Sequence, residues 1–336
     1  MNIKGEFCNM NNIKIKDVAI FHPQNSVDND YYTEHFDKQG KDVRGLLKAM
    51  GRERRYINDD PNETPLTMGI KAVNAVLEKT KLTAKDLDMI IFTSQTPETT
   101  LPSNAIRLFD AIKPKAETIV YDLNANCAGM TVALEQVSHY MKSNTSLQYA
   151  LIVGADYWSL ISDPEDPLCY TCFADGAAAM IIERTTEDVG FIDSTYHVNT
   201  VFAEKMMFPA EGLTKGIRET GDLKYARTIP FDGGIVLDAT YGMLETLFKR
   251  NNVNPSEVKY CFSQFALSNI KKIKEHFSLT DEQVVYVGDE FGYTGTSSPF
   301  IALHEGVKSG QIKRNDYVIF WTIGAGFELV ATLIKY

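Results

Sequence analysis

A single cysteine at a strand-to-helix junction is the residue in this sequence best placed for covalent chemistry. Cys127 lies in DLNANCAGMTVALEQ, residues 122–136, where the β-branched run ETIVYDL gives way to a helical run. The first N–H groups of a helix lack intrahelical partners and carry partial positive charge, which stabilises a thiolate and lowers the pKa of the thiol. We therefore expect a nucleophile, although the local sequence leaves open a buried structural cysteine.

Small residues next to the cysteine leave room for a substrate carbonyl. Ala128 and Gly129 follow Cys127, whose own backbone N–H can donate to an oxyanion. A second donor is expected from Ala325, in the tight Gly-Ala-Gly turn at residues 324–326. This set of groups suits acyl transfer through a thioester on the cysteine.

Apolar runs of about five to eight residues alternate with helical segments, which is typical of an α/β protein with buried strands. Strands are predicted for LDMIIFTSQ, AETIVYDL, QYALIVGADYW, GAAAMIIER, VKYCFSQF, DYVIFWTIGAGF and ELVATLIKY, and helices for AGMTVALEQVSHYMKS, TYGMLETLFKRNNV and SSPFIALHEGVKSG. The succession of helix, polar turn and apolar strand at 131–154 recurs at 298–323. We therefore predict two related halves, 1–185 and 186–336, with an irregular polar loop region at 193–233 that lines a site.

Composition narrows the classes of function. The net charge of −10 argues against nucleic acid as the main partner, and no apolar run approaches the roughly 20 residues that span a bilayer. The N-terminal segment lacks the continuous apolar stretch of a signal peptide, and five widely spaced cysteines predict reduced thiols in the cytoplasm. Cys169 and Cys172 form CYTC, a spacing that also occurs in redox and metal sites. Their flanks, YTCFADGAAAMII, favour a buried strand, so we predict no metal and no cofactor.

Six segments together resemble the β-ketoacyl-acyl-carrier-protein synthase III group of the thiolase superfamily. They are GRERRYINDDPNETPLTMG, PETTLPSNA, DLNANCAGMTVAL, DPEDPLCYTCFADGAAAMII, FGYTGTSSPFIAL and IGAGFE. The resemblance runs nearly end to end. It implies an α/β protein with a thiolase-like duplicated five-layered α/β/α/β/α fold, acyltransferase activity with Cys127 as the nucleophile, and a homodimer.

Two positions depart from the catalytic pattern of that family, in which a His and an Asn donate hydrogen bonds to the enolate left when a malonyl thioester loses CO₂. Gln264, in FSQFALSNI, stands where the resemblance places the His, and Tyr293, in FGYTGTSS, stands where it places the Asn. Both can donate a hydrogen bond, but neither titrates near neutral pH. We therefore expect an acyl-enzyme to form on Cys127, without ordinary malonyl decarboxylation following it.

The residues with which the family clamps coenzyme A are also replaced. Gly45 and Leu160 stand where the resemblance implies a Trp and an Arg. An acyl-carrier protein is therefore the expected thioester donor, rather than coenzyme A. A basic run, NIKKIK, is predicted to dock this acidic partner, although a solvated helix face is the alternative; its lysines are Lys271, Lys272 and Lys274.

The resemblance also places one residue of the acyl pocket. Leu101 falls where the family's partner subunit gates the acyl length, and a branched aliphatic side chain there suits a short-to-medium acyl chain. The leading hypothesis is an acyltransferase or condensing enzyme of fatty-acid-like or specialised biosynthesis that passes an acyl group from Cys127 to an acceptor. The alternatives are an ordinary initiating 3-oxoacyl-acyl-carrier-protein synthase III and a non-catalytic partner subunit of an active homologue.

Overall fold

The computed structural model describes residues 11–336, so the predicted thiol of Cys8 lies outside the described residues. Within that range the chain forms thirteen strands: β1 (Asn12–Phe21), β2 (Ser26–Asp28), β3 (Arg54–Tyr56), β4 (Met89–Thr93), β5 (Ile119–Leu123), β6 (Tyr149–Tyr157), β7 (Asp175–Thr185), β8 (Gly190–Val198), β9 (Met206–Met207), β10 (Arg227–Thr228), β11 (Val258–Phe262), β12 (Tyr317–Gly324) and β13 (Glu328–Lys335).

The same range contains twelve α-helices: α1 (Asn29–Asp37), α2 (Arg44–Met50), α3 (Pro65–Thr80), α4 (Asn104–Ile112), α5 (Gly129–Ser143), α6 (Trp158–Ile161), α7 (Pro167–Cys172), α8 (Leu213–Lys215), α9 (Val236–Asn251), α10 (Leu267–Phe277), α11 (Gly288–Phe291) and α12 (Ser298–Lys308). None of these helices within residues 11–336 combines the length and the apolar composition needed to cross a bilayer.

Two larger sheets contain most of the strands. The first has the order β1-β7-β6-β4-β5, with β4 parallel to both of its neighbours. The second has the order β11-β12-β13-β8, in which β11 and β12 are parallel and the other pairs are antiparallel. The first sheet ends at Thr185 and the second begins at Gly190. The division into two domains, 1–185 and 186–336, remains a prediction.

The apolar side chains arrange these sheets and helices in five layers. Helices α5 and α12 lie between the two sheets and contribute side chains such as Leu134 and Phe300 to one shared core. Helices α3 and α4 cover the outer face of the first sheet, and α9 and α10 cover the outer face of the second. Strand β4 is buried at all positions, as expected for a strand covered on both faces. The order of layers is therefore α/β/α/β/α.

The predicted strands and helices are present, but two segments were assigned wrongly. Residues 193–198, predicted as part of a loop, continue β8, which pairs with β13 at the edge of the second sheet. The outer half of this strand is exposed and polar, so its sequence lacks the expected apolar run. The CYTC segment is helical in α7 rather than part of a strand, because the Asp166 side chain caps that helix by accepting from Leu168 N and Cys169 N.

The start of α5 is fixed by contacts from other elements. Its N-cap, Ala128, makes no side-chain capping bond, and the Met130 N–H donates instead to Thr296 Oγ1 at 2.8 Å. Position 129 has no room for a side chain, because a Cβ there would lie 2.9 Å from Thr296 Oγ1 and 3.0 Å from Thr93 Cβ. The helix that follows Cys127 is thus held against β4 and against the segment before α12.

Replacing Gly190 by alanine should destabilise the fold. Gly190 has a φ of +110°, and a Cβ there would lie 2.2 Å from the Ile13 carbonyl oxygen of β1, a backbone atom that cannot move aside cheaply. We expect Gly190→Ala to lower the free energy of unfolding by about 3 kcal/mol or more, measured by urea denaturation.

Gly310→Ala is the matched control. Its φ of +77° carries a similar conformational cost, of about 1–2 kcal/mol, but no atom lies within 4 Å of the added Cβ. Equal losses in the two variants would contradict a close approach of β8 to β1.

Candidate active site

A turn after β5 presents Cys127 at the carboxyl ends of the parallel strands. Asn126 adopts a left-handed conformation with a φ of 51°, and its N–H donates to Asn124 Oδ1 at 2.9 Å. Its side-chain amide donates to the Ala325 carbonyl oxygen at 3.3 Å. The turn before the cysteine is thereby tied to the turn between β12 and β13, which belongs to the other sheet.

Three polar groups surround the Cys127 sulfur, and each comes from a different part of the chain. The Tyr293 hydroxyl, just before α12, and the backbone N–H of Ala325 both act as donors that lower the pKa of its thiol, and both residues line the same cavity as Cys127. On a third side, Sγ lies 3.2 Å from Oε1 of Gln95, two residues after β4. Of the predicted site residues, Cys127, Tyr293 and Ala325 line one cavity, and Gln95, which was not predicted, contacts the sulfur.

The predicted lowering of the cysteine pKa is wrong. Cys127 is only 5% exposed, and burial raises the pKa of its thiol to about 11. The Tyr293 hydroxyl and the Ala325 N–H oppose this rise without overcoming it. Burial in an apolar wall disfavours the charged thiolate.

Cys127 lies on the wall of a cavity of about 60 Å³. The cavity is mainly apolar, with walls formed by Cys127, Phe173, Phe202, Lys205, Met206, Phe231, Phe265, Tyr293 and residues 323–327. Four of these, Phe202, Lys205, Met206 and Phe231, come from the region 193–233 that was predicted to line a site. None of the described histidines contributes to this wall.

A larger cavity of about 720 Å³, here called the vestibule, shares Phe231 and Phe265 with the inner cavity. Its walls come from α2, α7, Phe265 and the region around β10, including Leu46, Met50, Pro167 and Tyr225.

Tyr293 is positioned as a hydrogen-bond donor. Its ring is 2% exposed and packs against Phe173 and Phe265, with centroid separations of 5.4 and 5.2 Å. Burial raises the pKa of Tyr293 well above its usual range, Cys127 adds to the rise, and the Ser263 hydroxyl opposes it. The hydroxyl therefore keeps its proton at neutral pH and can donate it in a hydrogen bond.

Gln264 does not face the cysteine. Its side-chain nitrogen donates to the carbonyl oxygens of Phe262 and Val285, at 2.6 and 3.4 Å. Its side-chain oxygen accepts from the N–H groups of Val287 and Gly288, at 2.9 and 3.0 Å. Because the backbone uses both ends of the amide, Gln264 stays outside the cavity. The structure therefore does not bring the predicted Gln264 to Cys127.

The remaining predicted residues lie at the surface. Leu101 is 89% exposed and does not contribute to the inner cavity or the vestibule, so within one chain it does not form an acyl pocket. Lys271 and Lys272 are exposed on α10, whereas Lys274 forms an ion pair with Asp281.

Gln95 was not predicted, although the fold gives a signal for it. Strands β4, β5 and β6 are mutually parallel, so their carboxyl ends meet at one edge of the sheet, where α/β proteins bind ligands. Gln95, Cys127 and Asp156 lie at or just beyond these three ends. The polar residues that follow each predicted parallel strand in the sequence are therefore the signal that could have placed Gln95, Cys127 and Asp156 in one site.

Two family models match the chain. The model described as 3-Oxoacyl-[acyl-carrier-protein (ACP)] synthase III matches residues 121–200, and its C-terminal counterpart matches residues 248–336. Together they cover just over half of the sequence. The chain belongs to the 3-oxoacyl-[acyl-carrier-protein] synthase III family. The predicted recognition is confirmed, and the chain is a member of a family of condensing acyltransferases.

Curated relatives of the synthase III family cover nearly the whole chain. The β-ketoacyl-[acyl-carrier-protein] synthase III of Bartonella bacilliformis is 29% identical over 300 residues, covering 87% of this chain and 90% of that protein. The corresponding protein of Bartonella tribocorum is 26% identical over 339 residues, covering 96% and 98%.

Solved synthase III structures share the fold. The 3-oxoacyl-[acyl-carrier-protein] synthase III of Aquifex aeolicus superposes with a TM-score of 0.83 at 24% identity, covering 96% of this chain and all of that one. A variant of Xanthomonas campestris OleA superposes with a TM-score of 0.81 at 15% identity, covering 97% and 98%. The predicted thiolase-like fold is confirmed.

Reactivity of the free thiol should rise steeply with pH. The thiolate is the nucleophile, and below a thiol pKa of about 11 its fraction grows about tenfold per pH unit. We expect the rate of Cys127 alkylation by iodoacetamide to follow that slope from about pH 7 to about pH 10. The measurement is intact-protein and peptide mass spectrometry over time at each pH.

Cys127→Ala is the control, since it reports alkylation at the other cysteines. A rate at Cys127 that is already independent of pH at about pH 8 would show a low thiol pKa and contradict the effect of burial.

Proposed function

We propose that this synthase III family member loads an acyl group from a thioester onto Cys127 and passes it to an acceptor, as a specialised condensing acyltransferase. The observation that carries the proposal is the set of donors around one sulfur at the wall of an apolar cavity. The Tyr293 hydroxyl and the Ala325 N–H both reach Cys127, and the vestibule gives a thioester room to approach.

In the proposed loading step, Cys127 Sγ forms a bond to the acyl carbon and the donor's carbon–sulfur bond breaks. The departing thiol takes the proton that Cys127 loses, so the step needs no other reactant. The N–H groups of Cys127 and Ala325 stabilise the oxyanion of the tetrahedral intermediate. Neither residue is among the positions at which this chain departs from the family pattern.

The acceptor step is proposed to differ from ordinary malonyl condensation. Gln264 has no free amide donor for an enolate, since its amide is bonded to the backbone. Tyr293 supplies a hydroxyl but also fills space in the inner cavity. We infer an acceptor that presents its reactive atom from the vestibule side, between Phe231 and Phe265.

Ordinary initiating condensation is the second candidate function. It is favoured by the names of the curated relatives, all β-ketoacyl-[acyl-carrier-protein] synthase III. The Tyr293 hydroxyl would then replace the family donors in stabilising the enolate.

An acyl-carrier protein is the proposed donor. The vestibule wall contains the carboxylates of Asp163, Glu165, Asp166 and Asp222, with Arg227 as its basic residue. Such a wall repels the several phosphate charges of coenzyme A more than the single phosphate of a carrier-protein arm. Lys271 and Lys272, exposed on α10, are proposed to contact the acidic carrier protein.

We also propose a homodimer, in which Leu101 of one chain approaches the acyl site of the other. Strand β5 is an edge of the first sheet, and an exposed edge strand is a template for pairing with another chain. Large apolar side chains are exposed nearby in the chain, among them Leu101, Ile106 and Tyr121.

A cytoplasmic location remains a prediction from the cysteine pattern; the four described cysteines are free thiols.

Acyl-enzyme formation tests the proposed function. The protein is mixed in parallel with acyl-carrier-protein and acyl-coenzyme A donors, and its mass is measured intact and after digestion. We expect an acyl mass on Cys127, formed faster from the carrier-protein donor, and none in Cys127→Ala. The double variant Lys271→Glu/Lys272→Glu should slow loading from the carrier protein while leaving loading from coenzyme A unchanged.

Further measurements separate the candidates. Tyr293→Phe should keep the fold and slow transfer to the acceptor by about 100-fold, the usual effect of losing one oxyanion donor. Rapid release of CO₂ from a malonyl thioester would favour the ordinary synthase. No acylation with any donor would reject the proposal and favour a non-catalytic partner subunit.

The dimer has its own test. We expect light scattering to give twice the chain mass of 37.7 kDa, and Tyr121→Lys on β5 to shift the protein towards the single-chain mass. A wild-type protein that remains monomeric at micromolar concentration would contradict the dimer.

A further inference from the structure

Gln95 and Asp156 form a pair of polar residues next to Cys127 that has no role in the proposed loading step. The sulfur is 3.2 Å from Gln95 Oε1, and Gln95 Nε2 is 3.2 Å from Oδ2 of Asp156. The backbone N–H of Gln95 donates to the other carboxylate oxygen at 2.6 Å. A continuous hydrogen-bonded row therefore runs from the thiol through one amide to a buried acid.

The acid at the end of this row is firmly held. Asp156 is fully buried and also accepts from Ser94 Oγ at 3.1 Å and from Thr296 N at 3.0 Å. Burial raises the pKa of its carboxyl, and the N–H donors of Thr296 and Gln95 oppose that rise. Donors converging on both oxygens are the surroundings of a carboxylate, which can only accept hydrogen bonds.

A glycine keeps the space for this arrangement. Gly295 has a φ of +64°, and a Cβ there would lie 2.2 Å from Asp156 Oδ2, 2.5 Å from Trp158 Nε1 and 2.9 Å from Gln95 Nε2. The close approach of these three side chains therefore requires a residue without a side chain at position 295.

The carboxylate decides which way the Gln95 amide faces. Because Asp156 can only accept, the NH₂ group of the amide must point towards it, and the carbonyl oxygen must point towards Cys127. A carbonyl oxygen accepts the S–H proton but cannot stabilise a thiolate. Gln95 could lower the pKa of the thiol only by turning its NH₂ group towards the sulfur. That group instead donates to Asp156, and the amide oxygen lies against the sulfur. In this orientation Gln95 favours the protonated form of the sulfur, in contrast to the Tyr293 and Ala325 donors on its other sides.

We propose that Asp156 and Gln95 are positioning residues that keep the Cys127 thiol protonated and directed away from the acyl cavity until a donor binds. This inference deepens the proposed function and rests on Cys127 as its nucleophile. The proton held next to Gln95 is the one that the departing donor thiol needs. The pair thus limits reaction with stray electrophiles and keeps the proton available for the loading step.

Other groups near the sulfur also affect its titration. Tyr293 faces it from the segment before α12, Ala325 faces it from the β12–β13 turn, and Lys205 lies on the cavity wall. The negative charge of Asp156 itself also disfavours a thiolate. The test must therefore separate the orientation of the amide from the charge behind it.

Gln95→Met makes that separation, because methionine has a similar length, forms no comparable hydrogen bond and leaves Asp156 in place. We expect iodoacetamide to alkylate Cys127 about three- to tenfold faster in this variant at neutral pH, with the pH profile displaced to lower pH. If the amide instead donated to the sulfur, the variant would react more slowly. A slower or unchanged rate would overturn the proposal.

Asp156→Asn gives the second measurement. It removes the charge and lets the amide turn over, so alkylation should accelerate by at least about tenfold in the wild-type background and by less in the Gln95→Met background. Equal acceleration in both backgrounds would show a charge effect alone and overturn the role of the amide. If Asp156→Asn fails to fold, the Gln95→Met profile decides. Alkylation requires no acyl donor, so its outcome is independent of whether acyl transfer is observed.

Discussion

The Thr296 side chain and backbone connect the three elements on which the candidate site depends. Its hydroxyl accepts the Met130 N–H at the start of α5, and its own N–H donates to Asp156 at the end of β6. The same hydroxyl lies 3.2 Å from that of Thr93, at the end of β4. Since Cys127 directly precedes α5 and Gln95 follows β4, one residue from the segment before α12 sets their spacing. A shift of that segment would move the nucleophile and its hydrogen-bond partner together.

Burial and reactivity oppose each other at this sulfur. The apolar walls around the sulfur raise the pKa of Cys127, and the donors on Tyr293 and Ala325 offset only part of that rise. Under the proposed function, such fixed donors contribute most where charge develops during the reaction. The Tyr293 hydroxyl and the Ala325 N–H reach the sulfur from the second half of the chain, so closing the two sheets around α5 and α12 is what completes the site.

Much of the fold and the position of the candidate nucleophile could be predicted from the sequence, because the signals for them are local. Buried parallel strands are continuous apolar runs, and the small residues around Cys127 mark a junction between a strand and a helix. The predictions that were wrong concern features that depend on contacts between residues distant in sequence. Strand β8 is half exposed, so only its pairing with β13 identifies it as a strand. The thiol pKa depends on walls contributed by the region 193–233, whose side-chain directions no periodicity predicts.

The placement of Gln264 shows how a correct motif can give a wrong contact. Just beyond β11, the Gln264 amide is bonded to the backbone of Phe262 and of residues 285–288, so its side chain is absent from the cavity wall. The motif gives the position of this residue along the chain, but the hydrogen-bond partners come from a segment more than twenty residues away.

Tyr293 rather than Gln264 therefore shapes the space beside the sulfur. The phenol at 293 lies on the cavity wall together with Cys127, whereas the Gln264 amide is bonded to the backbone outside that wall. Under the proposed function, an acceptor must therefore approach the acyl group on Cys127 from the side of the inner cavity that the Tyr293 ring leaves open.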